Sequence, residues 1–481
     1  MKYAIAAGHE ETARAAESIL QEGGNAVDAA IAAFLMTWVC EPCMASAGGG
    51  GFAQIYTAER KSILLDFFCQ TPRSKRIETR EFFPIEVNFG DTQEHFHIGA
   101  ASVAVPGSVA GLFALYDRFG QLPLELLFAP AIQAAKEGVA INRFQHLDFQ
   151  LLSPILQHQE EGRQLFFQDG QLKPLGAIIK MPGLADYLEH LWREGARAFY
   201  DGEIATKIEA QQKLQGGYLR REDLLNYQVN WQTPSRVSFG DRVVLCNPAP
   251  HPGGQILRKT LRTFTQVSAK EANQSSLAQT LARVFIDSPK PQAPSPDQKH
   301  GSTTHFSIVD QWGNAISLTA SNGEGSGYFI PDTDIQLNNM LGEAALLPNG
   351  FHTWPANTRL GSMMTPSMVV DSQGNLHLVT GSSGAGRIPY AIAQVIYHNQ
   401  WRGVPLEEAV NGPRMHLAGQ SLEIEPGFDL DSLHLPAPYQ ANLWSAPNLF
   451  FGGAHSVQVQ PGALMAVPDR RRDGVVLQQN S

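Results

Sequence analysis

Residues 303–321 read TTHFSIVDQWGNAISLTAS, and they contain two strand-like segments around a short turn. Thr303 to Asp310 and Ala315 to Ser321 alternate in the way that strands do, and Gln311 to Asn314 between them is typical of a turn. We therefore predict a β-hairpin. A second hairpin is predicted where Ser367 to Asp371 and Leu376 to Thr380 flank residues 372–375.

The segment just before this hairpin has a different composition. Residues 288–302 read SPKPQAPSPDQKHGS and contain four prolines, which favours an extended, weakly packed chain. This segment is the best candidate for a boundary within the chain, and it ends directly at Thr303.

A threonine hydroxyl is a weak nucleophile at neutral pH unless a base removes its proton. The residue's own α-amino group can be that base, but it is free only at a chain terminus. Self-cleavage between Ser302 and Thr303 would create such a terminus. The alternative is that Thr303 and Thr304 are ordinary strand residues, because threonine is common in strands.

The part of the chain before residue 303 is largely helical in pattern. Residues 10–39 predict two helices around a Gly-Gly-Asn break, and Pro123 to Gly138 predicts another, with proline near its start and glycine at its end. The four glycines Gly48 to Gly51 could cradle a phosphate, but no Lys-Ser/Thr follows them. Close packing of the backbone is the better interpretation.

Composition excludes several classes of partner. The 481 residues contain 36 Lys and Arg against 46 Asp and Glu, a net charge of −10, so binding to nucleic acid or to an anionic membrane is not expected. Arg470 to Arg472 is interpreted as a solvated or internally paired turn. The longest apolar run, Ala29 to Val39, is too short to span a bilayer and indicates a buried helix. The first residues do not resemble a signal peptide, so a cytoplasmic location is expected.

Four cysteines are present, and Cys40 and Cys43 have C-x-x-C spacing. A single such pair is a weak metal or redox signal, so we predict four small buried thiols. No metal or organic cofactor is expected.

Several motifs in a fixed order carry a resemblance. They include TTHFSIVDQWGNAISLT, SNGEGSGYFIPDTDIQLNNMLGE, RLGSMMTPSMVV, TGSSGAGRIP, GGNAVDAAIAAFL and NLWSAPNLFFGGAHSV. Together they resemble the γ-glutamyltransferase (γ-glutamyltranspeptidase) family, N-terminal-nucleophile hydrolases that mature by cutting themselves before the first Thr of TTH. The resemblance extends over nearly the whole chain.

The resemblance implies a role for individual residues. Thr303 would be the nucleophile and, through its amine, the general base, and Ser321 would supply a supporting hydroxyl. The backbone N–H groups of Gly384 and Ala385 would form the oxyanion hole, the donors that stabilise the negative oxygen of the reaction intermediate. The implied substrate-binding residues are Asn322, Glu343 and Ser362.

This sequence also departs from the family. Phe68 stands where the family has an arginine for the substrate α-carboxylate, and a phenyl ring cannot replace it. Arg73 is a possible substitute. Gly361 stands where the first serine of a Ser-Ser pair is usual. The segment before Thr303 is short, which indicates that part of the family's helical section is missing. The segment between Glu343 and Gly361 is too short for the family's lid loop, which predicts an open cleft that favours water as acceptor.

The resemblance implies an α+β fold, the four-layer αββα sandwich of N-terminal-nucleophile hydrolases. Residues 1–302 and 303–481 would be the two fragments of one composite domain, a heterodimer that could assemble further. The implied activity is attack of Thr303 on a γ-glutamyl amide such as glutathione, with transfer of the acyl group to water or an amine. Two alternatives stay open: an acylase for another acyl group, for example a glutaryl type, and a non-catalytic, uncut homologue with a binding role.

Overall fold

A computed structural model describes residues 2–75, 80–88, 93–266, 274–287, 302–431 and 433–480. The proline-rich segment 288–301, where we expect a boundary, lies outside these residues.

Strands are numbered along the chain. Those before residue 302 are β1 (Tyr3–Ala7), β2 (Gly50–Tyr56), β3 (Ser62–Phe67), β4 (Phe83–Asn88), β5 (Gln93–Ile98), β6 (Val139–Ala140), β7 (Phe167–Gln168), β8 (Gln171–Leu172), β9 (Ile178–Ile179), β10 (Asn230–Gln232), β11 (Ser235–Phe239) and β12 (Arg242–Cys246). Those after it are β13 (Thr303–Val309), β14 (Ala315–Ser321), β15 (Phe329–Ile330), β16 (Ile335–Gln336), β17 (Ser367–Asp371), β18 (Leu376–Thr380), β19 (Met415–Ala418), β20 (Ser421–Ile424), β21 (Gln440–Leu443), β22 (Ser456–Gln460), β23 (Ala463–Val467) and β24 (Val475–Gln479).

Most of the described helices precede residue 302, and the last two follow it. In chain order they are α1 (Glu10–Gln21), α2 (Ala26–Cys40), α3 (Ser108–Phe119), α4 (Leu124–Glu137), α5 (Arg143–Leu151), α6 (Ser153–Leu156), α7 (Glu160–Phe166), α8 (Pro182–Glu194), α9 (Arg197–Tyr200), α10 (Glu203–Leu214), α11 (Arg221–Leu225), α12 (Pro252–Thr265), α13 (Gln274–Asp287), α14 (Ile388–Ile396) and α15 (Leu406–Asn411). The predicted helices within residues 10–39 and 123–138 are confirmed.

Two antiparallel sheets form the centre of the molecule. One has the strand order β10-β3-β2-β14-β13-β1-β24, and the other has the order β11-β12-β17-β18-β22-β23. Both sheets therefore combine strands from before and after residue 302.

The alternation of side chains builds the layers. In β1, Ala4 and Ala6 pack against residues of the second sheet such as Val370, while Ile5 lies in the cluster formed with the helices of the N-terminal half. Helices α12, α13 and α14 cover the outer face of the second sheet. The predicted αββα sandwich is confirmed.

The predicted central hairpin is present, with β13 ending at Val309, one residue before the predicted end. Thr303 pairs with Ser321 at the open end of β13 and β14, and Ser321 pairs in turn with Gly50 of β2. The second predicted hairpin, β17 with β18, is also present. Thr303 thus lies at the end of an interior strand, where β14 is its registered neighbour, since β1 pairs only with residues 307–309 of β13.

The tetraglycine segment packs against the strand that carries Ser321. A Cβ atom on Gly49 would lie 2.6 Å from the Ser321 carbonyl oxygen, and one on Gly51 would lie 2.4 Å from that of Thr319. Both distances are too short for a real side chain. The interpretation as close backbone packing is confirmed.

Two other predictions are confirmed by burial. All four cysteines are buried free thiols, and α2 is buried along its whole length. The Arg470 to Arg472 turn is internally paired: Arg471 binds Glu425, and its guanidinium lies 3.2 Å from Asp469. Among the described helices, none is long and apolar enough to cross a membrane.

Candidate active site

Thr303 opens into a cleft of about 410 Å³, a volume that includes solvent at its mouth. The first residue of β13 and its partner Ser321 are both nearly buried, at 4% and 7% exposure. The cleft is lined by Phe68, Ser302, Thr303, Ser321, Met340, Glu343, Ala345, Leu346, Ser362, Met363, Met364, Ala385, Gly386 and Ile388. Residues that the sequence analysis singled out in separate motifs therefore line one cleft: Thr303, Ser321, Glu343, Ser362 and Ala385.

The bond before Thr303 is held by a side chain of the opposite strand. The Ser321 hydroxyl donates a 2.8 Å hydrogen bond to the carbonyl oxygen of Ser302. The Gly323 N–H donates to the same hydroxyl oxygen at 3.0 Å, which leaves the hydroxyl hydrogen directed at Ser302. A donor in this position withdraws electron density from the Ser302 carbonyl and stabilises negative charge on its oxygen.

Ser302 is also gripped by a carboxyl group that the sequence analysis did not single out. Glu324 accepts hydrogen bonds from the Ser302 N–H at 3.1 Å and from the Ser302 hydroxyl at 2.6 Å. The Glu324 backbone N–H donates to Asn339 at 2.8 Å, which fixes the loop after β14. The acid in SNGEG was the available signal, but its proximity to Ser302 depends on the turn of that loop.

The second threonine of the pair anchors the strand. The Thr304 hydroxyl donates to Glu41 at 2.6 Å, and Thr12 donates to the other oxygen of the same carboxyl at 2.7 Å. Burial raises the pKa of Glu41, and the two hydrogen bonds oppose that rise. These contacts hold the start of β13 in place on the side away from Ser321.

His305 is not suited to serve as the base. Its ring nitrogens lie 2.9 Å from the Thr319 hydroxyl and 3.0 Å from the Ser307 hydroxyl. Burial lowers the pKa of His305 well below its usual value, so the ring is neutral and is bound within the sheet. His305 is therefore not available to activate Thr303.

The turn after β18 provides backbone donors on the opposite side of the cleft. Gly384 and Ala385 both have left-handed backbone angles, with φ of 109° and 48°. Among the described residues, none accepts a hydrogen bond from the N–H groups of these two residues. Ala385 lines the cleft with Thr303, so its N–H group is available to an oxyanion, whereas Gly384 is not among the residues that line the cleft.

Glu343 brings a carboxyl into the same cleft. Burial raises the pKa of Glu343 to about 8, and the charge of Glu324 adds to the rise. A Cβ atom on Gly323 would lie 2.4 Å from a carboxyl oxygen of Glu343, so only glycine fits between these elements. Glu343, which is predicted to bind the substrate, and Glu324, which binds Ser302, are therefore close neighbours.

The other two predicted substrate-binding residues differ in position. Ser362 lines the cleft, and its hydroxyl oxygen accepts from the Met364 N–H at 3.1 Å. Asn322 does not line the cleft; its amide group lies 3.0 Å from the Ser46 hydroxyl and 3.4 Å from the Gln336 carbonyl. Asn322 therefore stabilises the loop and does not contribute to the lining of the cleft.

Phe68 forms part of an apolar wall. Its ring stacks on Phe52 with 5.6 Å between centroids. Arg359 lies behind this wall, where it donates to the Phe68 carbonyl oxygen and lies 3.5 Å from Asp66. Arg73 pairs with Glu222 at 4.0 Å and does not line the cleft, so it does not replace the missing arginine here.

A threonine at the head of an interior strand, in one of two central sheets, is the arrangement of N-terminal-nucleophile hydrolases. The family model described as gamma-glutamyltranspeptidase matches residues 12–290 and 264–479. The chain belongs to the gamma-glutamyltranspeptidase family.

Known relatives match this chain over most of their own length. The chain is 28% identical over 477 residues to the glutathione hydrolase proenzyme of Escherichia coli (strain K12), covering 87% of this chain and 81% of the relative. It is 30% identical over 476 residues to the corresponding proenzyme of Pseudomonas aeruginosa, covering 86% and 82%.

Solved structures share the fold. A cephalosporin acylase from Bacillus halodurans superposes with a TM-score of 0.80 at 21% identity, over 99% of this chain and 95% of the other. The Helicobacter pylori gamma-glutamyltranspeptidase superposes with a TM-score of 0.50 at 27% identity, over 58% and 79%.

Proposed function

We propose that this protein is a self-processing γ-glutamyl amide hydrolase and transferase of the glutathione hydrolase type. The observation that carries the proposal is the position of Thr303: the residue lines the cleft, and the carbonyl of the preceding residue is bound by Ser321. The family membership and the names of the relatives supply the substrate class.

Self-cleavage would proceed in two steps. The Thr303 hydroxyl oxygen adds to the Ser302 carbonyl carbon while Ser321 stabilises the negative oxygen. The hydroxyl proton passes to the Thr303 nitrogen as the C–N bond breaks, which leaves an ester and a free Thr303 amine. Water hydrolyses the ester, so Ser302 ends as a carboxylate and Thr303 regains its hydroxyl. The two Glu324 hydrogen bonds hold Ser302 in place for the attack.

Catalysis would then use the new amine. An α-amine has a pKa of about 8, so near neutral pH part of it is unprotonated and can accept the Thr303 hydroxyl proton. The hydroxyl oxygen attacks the amide carbonyl of the substrate, the leaving amine takes the proton, and an acyl ester remains on Thr303. Water or a second amine releases the acyl group, with Gly384 and Ala385 as backbone donors to the oxyanion.

The substrate head would contact Glu343 and Ser362, which both line the cleft. A carboxylate at Glu343 suits the α-ammonium of a γ-glutamyl group. A glutaryl group keeps a carboxylate and lacks that ammonium, so the apolar Phe68 wall and Glu343 favour it less. The glutaryl acylase alternative is therefore the weaker of the two.

The two fragments would remain associated. Each sheet combines strands from residues before and after 302, so separation would break the ladders of β13 with β1, of β14 with β2 and of β17 with β12. We propose that the active form is a heterodimer of fragments 1–302 and 303–481.

Mass spectrometry of the denatured protein tests the proposal. The wild-type chain is expected to give fragments of 302 and 481 − 302 = 179 residues, the second beginning Thr-Thr-His-Phe-Ser. Thr303→Ala should stay in one piece and be inactive, while the matched variant Thr303→Ser keeps a hydroxyl and should still be cut. An intact, folded wild-type chain without amidase activity would favour the non-catalytic alternative.

A further inference from the structure

The walls of the cleft that contains Thr303 are mainly apolar. Most of the described residues that line it carry apolar side chains: Phe68, Met340, Ala345, Leu346, Met363, Met364, Ala385 and Ile388. None of the described lining residues is Lys or Arg. The cleft therefore offers contact area to an uncharged chain and no cationic side chain to an anionic one.

This apolar wall is continuous with the hydrophobic core. Phe68, Met340 and Met363 belong to the buried cluster to which α12, α13 and α14 contribute, and Leu346 packs against the edge of that cluster. Phe68 and Met340 are each only 1% exposed, so packing holds them in place. The unbranched methionine side chains can adapt to chains of different shape. A surface of this kind gains free energy when an apolar group displaces water from it.

Glu343 is the only acidic residue among the described residues that line the cleft. Burial raises the pKa of Glu343 to about 8, so this carboxyl group keeps its proton at neutral pH when no cation is beside it. An uncharged acyl chain next to Glu343 therefore leaves no buried charge without a partner. When the substrate brings an ammonium group, the same carboxyl group can ionise, so the γ-glutamyl substrates proposed above can use the same cleft.

The apolar wall and the nucleophile border one space. Thr303 lines the same cleft as Phe68 and Leu346. In the uncut chain Ser302 also lines this cleft, on the acyl side of the bond that is to be cut. Once the segment ending in Ser302 leaves, its place beside Thr303 is open to the acyl chain of a substrate.

We propose that the cleaved protein also hydrolyses amides of short, uncharged fatty acids such as hexanoic acid, with the acyl chain lying along the wall formed by Phe68, Met340 and Leu346. The inference rests on the self-cleavage and the Thr303 chemistry proposed above and adds a second substrate class. The Thr303 oxygen takes the acyl group from the amide nitrogen, and the amine leaves with the hydroxyl proton. Water then gives its hydroxyl to the acyl carbon and its other hydrogen to the Thr303 oxygen, which releases the fatty acid.

The butanoyl, hexanoyl and γ-glutamyl p-nitroanilides test the inference on the wild-type cleaved protein. The butanoyl and hexanoyl compounds have the same leaving group and a similar carbonyl reactivity, and they differ by two methylene groups. Each buried methylene group corresponds to about a threefold to fourfold gain, so kcat/KM for hexanoyl should exceed that for butanoyl by about tenfold.

A kcat/KM for hexanoyl equal to or below that for butanoyl would overturn the inference. Hydrolysis of the γ-glutamyl compound alone would also overturn it and would leave the proposed function standing. An uncut chain that hydrolyses none of the three compounds would instead remove the proposed function, and this inference with it.

Competition on the wild-type protein shows whether both substrate classes use one cleft. With γ-glutamyl-p-nitroanilide as reporter, hexanamide should inhibit competitively, at concentrations about tenfold below those of butanamide. Equal inhibition by the two amides would contradict an apolar acyl site. Non-competitive inhibition by hexanamide would place its binding site outside the cleft and refute the inference.

A truncated side chain assigns the acyl chain to the wall. Leu346 is only partly buried, and Leu346→Ala should lower the ratio of kcat/KM for hexanoyl to that for butanoyl by about threefold, the value of one methylene contact. A general loss of structure would lower both rates together and leave this ratio unchanged. Leu417→Ala is the matched control, because Leu417 packs against the same cluster, is also partly buried and does not line the cleft. An unchanged ratio in Leu346→Ala, or an equal fall in Leu417→Ala, would refute the placement of the chain along this wall.

Discussion

The Ser321 hydroxyl lies 2.8 Å from the carbonyl oxygen of Ser302, across the open end of the hairpin that pairs Thr303 with Ser321. The contact joins the end of one strand to the residue just before its partner strand. It places a hydrogen-bond donor on the oxygen that becomes negative if Thr303 attacks this carbonyl.

Removing that donor should slow the maturation of the chain. Loss of one oxyanion donor typically costs about 10²-fold to 10³-fold in rate, so Ser321→Ala should accumulate uncut protein, and Ser321→Thr should be cut at close to the wild-type rate. Gel analysis of the 481-residue chain against time measures this. Ser317→Ala is the matched control, because Ser317 is on the same strand and donates to the Thr380 carbonyl at 2.9 Å. Wild-type cleavage in Ser321→Ala would remove the hydroxyl from the mechanism.

In the turn formed by Gly384 and Ala385, substitution should be tolerated at Ala385 and not at Gly384. Gly384 has a φ of 109°, and a Cβ atom there would lie 3.1 Å from the Gly452 Cα, so Gly384→Ala should shift the turn. Backbone strain of about 1–3 kcal/mol and displaced donors should lower kcat/KM by about tenfold or more. Ala385→Gly keeps both N–H groups and relieves the left-handed angle of Ala385, so it should retain activity. Equal kinetics in the two variants would show that the turn does not serve the oxyanion.

The uncut protein should lose stability as the pH rises towards 8. The pKa of Glu343 is raised to about 8, above the value of about 4.3 in an unfolded chain, so between these values the folded state binds the extra proton. The free energy of unfolding then falls by up to about 1.4 kcal/mol per pH unit in this window, and the effect levels off outside it.

Thr303→Ala and Thr303→Ala with Glu343→Gln are the pair to compare, since neither should be cut. Denaturant unfolding at pH 5 to 9 should show the Gln variant gaining relative stability up to about pH 8 and then holding a constant difference. A difference independent of pH would mean that the pKa of Glu343 is not raised. Glu324 is the acid whose charge contributes to that rise.

Asp469 should be a major determinant of stability. Arg414 lies 2.7 Å and Arg471 3.2 Å from its carboxyl, and although burial opposes ionisation, these two charges hold the pKa of Asp469 well below its usual range. Breaking such a buried network costs about 3–5 kcal/mol, so Asp469→Ala should strongly lower the denaturation midpoint. Arg470→Ala removes an exposed pair with Glu407 and should change the midpoint little. Similar midpoints for the two variants would contradict this account.

The pattern of consecutive residues was sufficient to predict the secondary structure next to the candidate active site. The hairpin of β13 and β14 could be predicted to within one residue because alternation and a turn are properties of consecutive residues. The buried thiols and the close packing of the tetraglycine segment also followed from residue type and the absence of supporting motifs. The placement of Thr303 and Glu343 in one cleft came from resemblance, since separate motifs carry no distances.

The sequence by itself determined the two hairpins, the helices within residues 10–39 and 123–138, and the threonine that heads the central hairpin. Only the tertiary structure decided what surrounds that threonine: Glu41 reaches Thr304 across 263 positions of the chain, and Arg359 lies 291 positions from the Phe68 carbonyl that holds it away from the cleft. Glu324 is 22 positions from Ser302, and a loop fixed by Asn339 brings them together. Strand alternation and helix periodicity act between near neighbours, whereas these contacts depend on how whole layers pack, which no short pattern encodes.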